Sequence, residues 1–441
     1  MTILANRPWR VGELTPVSAK LSPILMPEPL PPNTEDQPSQ KRWGILGLLF
    51  LSIMINLLDR QVLSVMAPII RDELGLSNTD YSQILFAFLL GLTICQYPAG
   101  WMIDRKGARF GLPISRFVWS IANGLHAFAQ NLWHLRIFRF FLGAGECGNY
   151  SGGIKVISQW FPSKERALAG GIFNSGTVAG AFLAPMLIVP LGVHFGWRMT
   201  FIIPTVLGLL WIIPWLMYYR DRESPSSAVT PTTTPQKHTS FLSLLGIRHV
   251  WGAILIRALG GPVVHFYWYW LPEYLRRERG FSMEEIGWTA GIPFLFAGLG
   301  NLAGGWFSGH LISSRGWSTD RARKAAFITS VVLCACSMGV PLAPTGATAV
   351  AMICLATFGI AISVPTHIAT LGDLFDARVL ARMAGLTGLG EGIMNMILML
   401  ATGYVVDRFS YLPVFLAAGF MPALGLVALF TLIRKIERIE V

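Results

Sequence analysis

The sequence predicts an all-α polytopic membrane protein, with twelve transmembrane helices in two pseudo-symmetric six-helix bundles. Three observations carry that prediction. Of 441 residues, 53% are hydrophobic and only 13% charged, against about 25% charged in soluble domains. Apolar stretches long enough to cross a bilayer core of ~30 Å recur along the chain. They fall in two sets of six, divided by a polar gap. Barrel strands would read as alternating segments of about ten residues, and the sequence carries no such pattern.

The first six stretches lie near 44–68, 81–102, 110–129, 132–156, 167–193 and 198–219. The second six lie near 249–272, 286–312, 324–344, 347–371, 383–405 and 411–433. Several contain Gly and Pro, which membrane helices tolerate because neighbouring groups satisfy the freed backbone. The implied organisation is a disordered cytoplasmic tail over 1–42, an N-terminal bundle over 43–219, a cytoplasmic linker over 220–248, a C-terminal bundle over 249–434 and a cytoplasmic tail over 435–441. The first tail holds eight prolines between Pro8 and Pro38 and no apolar core of a signal peptide. The linker is rich in Ser, Thr and Pro between Ser224 and Thr234. All five cysteines fall in apolar stretches, and Cys334 and Cys336, two apart, lack metal spacing. They are read as inert thiols, and no metal or other cofactor is expected.

Charge fixes the orientation. With the amino terminus in the cytoplasm, the short inner loops hold fifteen Lys/Arg and the outer loops six, the asymmetry that the positive-inside rule requires. Both tails are basic as well. Much of the formal charge of +11 is therefore a topology signal, and no nucleic-acid partner is needed to explain it.

Six basic residues remain inside the spans: Arg60, Arg116, Arg136, Arg139, Lys155 and Arg257. Only Asp59, Glu146 and Glu391 oppose them. Each such charge costs about 2.5–3.5 kcal/mol at a helix centre, so the basic excess asks for an anion to complete it. A small organic anion is the expected partner, beside the lipid bilayer. Arg136, one turn into its helix, can snorkel to the interface, and Arg116 stands alone; both are read as structural.

Asp59 and Arg60 are adjacent in helix 1, and Arg139 precedes Glu146 by seven residues in helix 4. Seven residues turn ~700°, so Arg139 and Glu146 share a face about 10 Å apart along the axis. Each should look across the bundle for its partner. Mutual neutralisation of these charges is the bland alternative, and it leaves the basic excess unexplained. Asn174 and Thr177, three apart in helix 5, either bond substrate hydroxyls or join helices. Tyr267 and Trp268 either stack on a sugar or belong to an interfacial aromatic belt. His126 and His367 are read as bundle histidines. Glu391 is either a third titrating group or the partner of a basic residue.

The halves also resemble each other in register. Leu168-Ala169-Gly170 matches Met383-Ala384-Gly385, and Gly100-Trp101 matches Gly305-Trp306. Such halves pack about a pseudo-two-fold axis with a midplane site between them. Between helices 2 and 3 stand Gly100, Asp104, Arg105, Gly107 and Arg109, which together resemble the loop motif G-x-x-x-D-R-x-G-x-R of the major facilitator superfamily. Gly100 is expected to permit close helix packing and Gly107 a tight turn. Asp104 is expected to face a helix N-terminus. The resemblance implies a gating role for the motif.

Beyond that motif the chain resembles the anion:cation symporter family, over nearly its whole length from Trp43. The resemblance rests on Leu57-Leu58-Asp59-Arg60, on Arg139 with Glu146, on Trp160-Phe161-Pro162 with Glu165-Arg166, on Trp270-Leu271-Pro272 and on Gly385-Leu386-Thr387-Gly388. Bacterial hexuronate and D-galactonate transporters and the vesicular protein sialin are similar. This implies that Asp59 and Glu146 couple protons while Arg60 and Arg139 engage a substrate carboxylate or support those acids. The second half is most like hexuronate transporters, which places Arg257 and Lys155 among the substrate residues. Three positions depart from the pattern: Leu92 replaces an aromatic, Thr177 a glutamine, and Glu391 an expected apolar residue.

The function expected from these readings is proton-coupled symport of a sugar acid, hexuronate or aldonate, by alternating access, with the proton as coupling ion. A monomer in a bacterial inner membrane, with both termini cytoplasmic, is expected. An organophosphate/phosphate antiporter is the close rival, and a non-transporting nutrient receptor a rival of another class. A multidrug exporter would want an acidic interior. Motifs for nucleotide or zinc chemistry are missing from the sequence, which argues against an enzyme.

Overall fold

A computed structural model of the chain describes residues 40–221 and 244–439; most of the expected first tail and of the expected linker lies outside them. Six helices form the first half: α1 (Lys41–Leu74), α2 (Asn78–Lys106), α3 (Ala108–Leu125), α4 (Leu132–Trp160), α5 (Ser163–Phe195) and α6 (Trp197–Tyr218). Six more form the second: α7 (Arg248–Arg277), α8 (Met283–Ser313, broken near Ala290), α9 (Thr319–Leu342), α10 (Gly346–Leu374), α11 (Ala377–Arg408) and α12 (Leu412–Ile433). Ten of the twelve are long and apolar enough to cross a bilayer by composition alone. The exceptions are explained by their residues. The α-helical part of α3 has only 18 residues and includes Arg116, and α4 carries Arg136, Arg139, Glu146 and Lys155.

Local chemistry sets the helix ends. Gly75 closes α1 in the left-handed conformation at φ 64°. Ser77 and Asp80 form a reciprocal capping box that starts α2, satisfying two N–H groups that a helix start leaves free. Asn131 caps α4 through His134 N–H.

The packing repeats between the halves. The pairs α2·α4, α1·α5 and α3·α4 have their counterparts in α8·α10, α7·α11 and α9·α10. Glycines let the first of these pairs touch backbone to backbone. A Cβ at Gly91 would stand 2.1 Å from the Phe140 carbonyl oxygen, and one at Gly143 2.2 Å from that of Phe88. On the other side, Cβ atoms at Gly300 and Gly304 would meet the carbonyl oxygens of Phe358 and Ile362 at 2.3 and 2.5 Å. Contacts between the halves run through α1·α7, α2·α11 and α5·α8.

Hydrogen bonds and ion pairs joining the halves gather at the face that carries the α1–α2 turn, called here the far face. Ser64 donates to the Trp268 carbonyl at 2.8 Å, and Tyr81 to the Tyr269 carbonyl at 2.8 Å. Asp407 of α11 accepts from the backbone N–H groups of Asn78 and Thr79 at the start of α2. Arg71 of α1 is paired with Glu273 of α7, and Arg277 with Asp72. The opposite face carries the α2–α3 loop and is called the motif face.

Candidate functional site

Two arginines and a glutamate meet on the α1, α2 and α4 surfaces. The Nε of Arg60 donates to Glu146 Oε2 at 2.5 Å, and the Glu146 side chain is fully enclosed. Arg60 and Arg139 both approach the ring of Phe88, with guanidinium carbons 5.2 and 5.9 Å from its centroid. The glycine contacts between α2 and α4 bring Phe88 and this part of α4 together. Arg139 is completely buried, and its Nε and Nη2 have no hydrogen-bond partner. Oε1 of Glu146 is likewise without one. A buried donor left unpaired costs about 1–3 kcal/mol, and more when charged. The Arg139 guanidinium is thus short of an acceptor.

Asp59 turns away from that cluster. One residue rotates ~100° around a helix, so its carboxylate meets α3, accepting from Trp119 Nε1 at 3.2 Å and Asn123 Nδ2 at 3.1 Å. Arg116 lies within electrostatic reach of it. That guanidinium sits between the rings of Trp119 and Trp211, 4.5 and 4.6 Å from their centroids, with no hydrogen-bond partner for any of its three nitrogens. Asp59 and Arg60, adjacent in sequence, therefore belong to two separate hydrogen-bonded groups, with Glu146 and Arg139 still within electrostatic reach of Asp59.

In the second half, Nε of Arg257 donates to Glu391 Oε2 at 2.6 Å. Glu391 is thus the partner of a basic residue, one of the two roles its place in the sequence allows. Trp268 is half-buried against Phe294, and Thr177 is half-buried on α5. Asn174 donates to its own helix at the Gly170 carbonyl.

Several expectations need correction. Lys155 does not join the cluster: its Nζ lies 2.9 Å from the Ile103 carbonyl and 3.2 Å from Asp104 Oδ1, because it stands close to the motif-face end of α4. Tyr267 faces the interior of the second half, bonded to Ser337 at 2.5 Å. Two residues further, Tyr269 points the other way, with its ring 6.5 Å from Phe88 and its buried hydroxyl unpartnered. Sequence reasoning passed over Tyr269. Its signal was present, since Tyr269 lies twelve residues beyond Arg257 on α7, but several aromatics crowd that stretch.

The motif also departs in detail. A Cβ at Gly100 would meet nothing within 4 Å, so close packing is not what that glycine supplies. Asp104 does not cap α3. That position belongs to Asp221, which accepts from the Ala108 and Arg109 N–H groups at 2.8 and 3.2 Å. Gly107 does adopt a positive φ of 76°. Arg105 covers Trp101 and Arg109 reaches the Leu216 carbonyl at 3.3 Å.

Residues 49–319 match the family model described as Major Facilitator Superfamily. The chain belongs to the major facilitator superfamily. It is 28% identical over 421 residues to the hexuronate transporter of Escherichia coli (strain K12), covering 91% of this chain and 96% of that protein. It is 31% identical over 401 residues to the probable L-galactonate transporter of the same strain, covering 88% of each. Among solved structures, a bacterial homolog of the human lysosomal transporter Spinster, inward-facing and occupied, superposes with a TM-score of 0.76 at 18% identity, covering 90% of this chain and 98% of that one. This major facilitator protein is a multi-pass membrane transporter and not an enzyme.

Proposed function

We propose that the protein carries a sugar acid, a hexuronate or an aldonate, across a bacterial inner membrane by proton-coupled alternating access. The observation that carries the reading is the fully buried Arg139 guanidinium, with two nitrogens unpartnered beside the Arg60–Glu146 pair. Arginine binds carboxylate through two parallel hydrogen bonds, and one substrate carboxylate would supply the missing acceptor. The hexuronate and galactonate transporters among the relatives support a polyhydroxylated acid as cargo.

In this reading both termini are cytoplasmic, so the far face is outside and the described conformation is closed there. A substrate carboxylate arriving at Arg139 and Arg60 competes with Glu146 for the Arg60 guanidinium. Glu146, deprived of that partner in an enclosed site, takes up a proton. Asp59 titrates in its own group with Trp119, Asn123 and Arg116. Gly107, Asp104, Arg105 and Arg109 brace α2 against α3, α4 and α6 while the halves rock. An organophosphate exchanger is disfavoured because the buried carboxylates Asp59 and Glu146 favour proton coupling.

The test is uptake of radiolabelled galacturonate, glucuronate and galactonate into proteoliposomes, with and without an inward proton gradient. Gradient-dependent accumulation of one of them is expected. Exchange that ignores the gradient would remove proton coupling; binding without flux would indicate a receptor. Stimulation only by phosphate on the opposite side would replace the reading with antiport.

A further inference from the structure

The Arg257–Glu391 pair occupies a different place from the Arg60, Arg139 and Glu146 cluster. Arg257 lies nine residues from the motif-face end of α7 and Glu391 fourteen residues into α11, from the same face. Arg257, Gly261, His265 and Tyr269 mark successive turns of α7, about 6 Å apart. Tyr269 ends that line against Phe88, beneath Arg60. His265 lies between the two places, within electrostatic reach of Glu391, Arg257 and Arg60. His265 and Tyr269, with rings stacked 6.4 Å apart, therefore lie between the anion cluster and the ion pair.

The pair is built, not incidental. Glu391 lies in a notch left by Gly261, where a Cβ would stand 2.3 Å from Oε1. Its grip on Arg257 is a single bond through Nε, and Arg257 Nη1 makes only a 3.5 Å contact with Thr387 Oγ1. Both side chains keep partial exposure, 35% for Arg257 and 20% for Glu391. A guanidinium held this way still has donors to offer, and the carboxylate can accept from hydroxyls. What the pair cannot do is receive a second carboxylate, which would face Glu391 at close range, and juxtaposed like charges cost several kcal/mol.

We infer that Glu391 sets charge selectivity: it holds Arg257 as a built-in carboxylate, so that the site takes acids with one carboxylate and a hydroxylated far end and rejects dicarboxylates. This inference rests on the sugar-acid reading above. One carboxylate goes to Arg139 and Arg60, and the neutral end lies toward Arg257 and Glu391. Specificity here comes from the repulsive element as much as from the attractive one.

The experiment is competition against radiolabelled galacturonate on purified full-length protein, comparing unlabelled galacturonate with its dicarboxylate counterpart galactarate. For the wild type, galacturonate should compete and galactarate should not. In Glu391→Gln the galactarate-to-galacturonate affinity ratio should rise by about tenfold to a hundredfold, since the repulsion is gone and Arg257 is free. The double variant Arg257→Gln/Glu391→Gln should return most of that gain, a reversal that a merely structural role for Glu391 would not produce. If Glu391→Gln cannot be recovered folded, Glu391→Ala is the second variant, and the same rise in the ratio is expected of it. An unchanged ratio in Glu391→Gln, or a gain that survives loss of Arg257, overturns the inference while leaving the sugar-acid reading intact. Failure of the wild type to bind galacturonate, glucuronate or galactonate overturns that reading, and the inference with it.

Discussion

Arg71, near the end of α1, donates to the carboxylate of Glu273, near the end of α7, and so ties the two halves together at the far face. Glu273 is fully buried and also receives Arg277 at 3.2 Å, while Arg277 reaches back to Asp72. Breaking one side of a buried pair costs about 3–5 kcal/mol. Only the far-face-closed state contains this pair in its described form, so the loss falls on that state. Glu273→Gln is therefore expected to shift the conformational equilibrium toward opening of the far face, by about a hundredfold to several thousandfold. Spin labels at Gln130 and Arg276, both exposed at that face, should report a longer distance in the variant. An unaltered distance distribution would show that the apolar contacts alone hold the closure.

The Arg60–Glu146 bond and the unpartnered Arg139 make separable predictions. Glu146→Gln keeps the shape of the side chain and removes its charge, so accumulation driven by a proton gradient should be lost while exchange of labelled for unlabelled substrate continues. Arg139→Gln should instead weaken substrate binding itself, by about 2–5 kcal/mol as for other buried charge-paired contacts. Counterflow and equilibrium binding measured on the two variants distinguish coupling from recognition. Normal gradient-driven accumulation in Glu146→Gln would exclude Glu146 as the coupling group.

At the motif face, Lys155 is bonded to Asp104 and to the Ile103 carbonyl, not to the anion cluster. Lys155→Gln should leave equilibrium affinity for substrate within about twofold and reduce turnover, the pattern of a residue outside the binding site. Asp221→Ala removes the acceptor at the start of α3 and should cost about 0.5–2 kcal/mol, as loss of other helix caps does. Thermal unfolding in detergent reads the second effect and transport the first. A tenfold rise in Kd for Lys155→Gln would return Lys155 to the substrate residues.

The legible part of this protein was its charge inside the membrane. Arg60, Arg139, Glu146, Arg257 and Glu391 are conspicuous because each interrupts an apolar stretch, and the structure pairs four of them. Which residue pairs with which was not legible, because Glu146 is 86 positions from Arg60 and Glu391 is 134 from Arg257. Arg71 and Glu273 do not stand out in the sequence, since they fall where the apolar stretches end; burial there comes from the meeting of two halves. Tyr267 and Tyr269 differ only in which way α7 turns them, and a run of aromatics hides that phase. Asp221 takes the place expected of Asp104 for a similar reason: both are acidic and close to the start of α3, and only the path of the chain after α6 decides.

The Asp59 group offers the strictest test of how the two charge groups divide. Arg116 is fully buried between Trp119 and Trp211, with no hydrogen bond to its guanidinium nitrogens, and the enclosed carboxylate of Asp59 is its neighbouring charge. Removing the arginine alone leaves Arg139 as the remaining cation near the buried Asp59, so Arg116→Met should destabilise the protein by about 1–3 kcal/mol. Removing both charges, in Asp59→Asn/Arg116→Met, should recover much of that loss if the two charges support each other through space, because no buried charge is then left without its neighbour. Asp59→Asn alone leaves Arg116 to the two indole rings, which at about 2 kcal/mol or more for a desolvated cation–π contact hold it only in part. The thermal stability of the three variants closes a double-mutant cycle. A coupling energy near zero would mean that the indoles alone hold Arg116, and that Asp59 is free to titrate without disturbing α3 or α6.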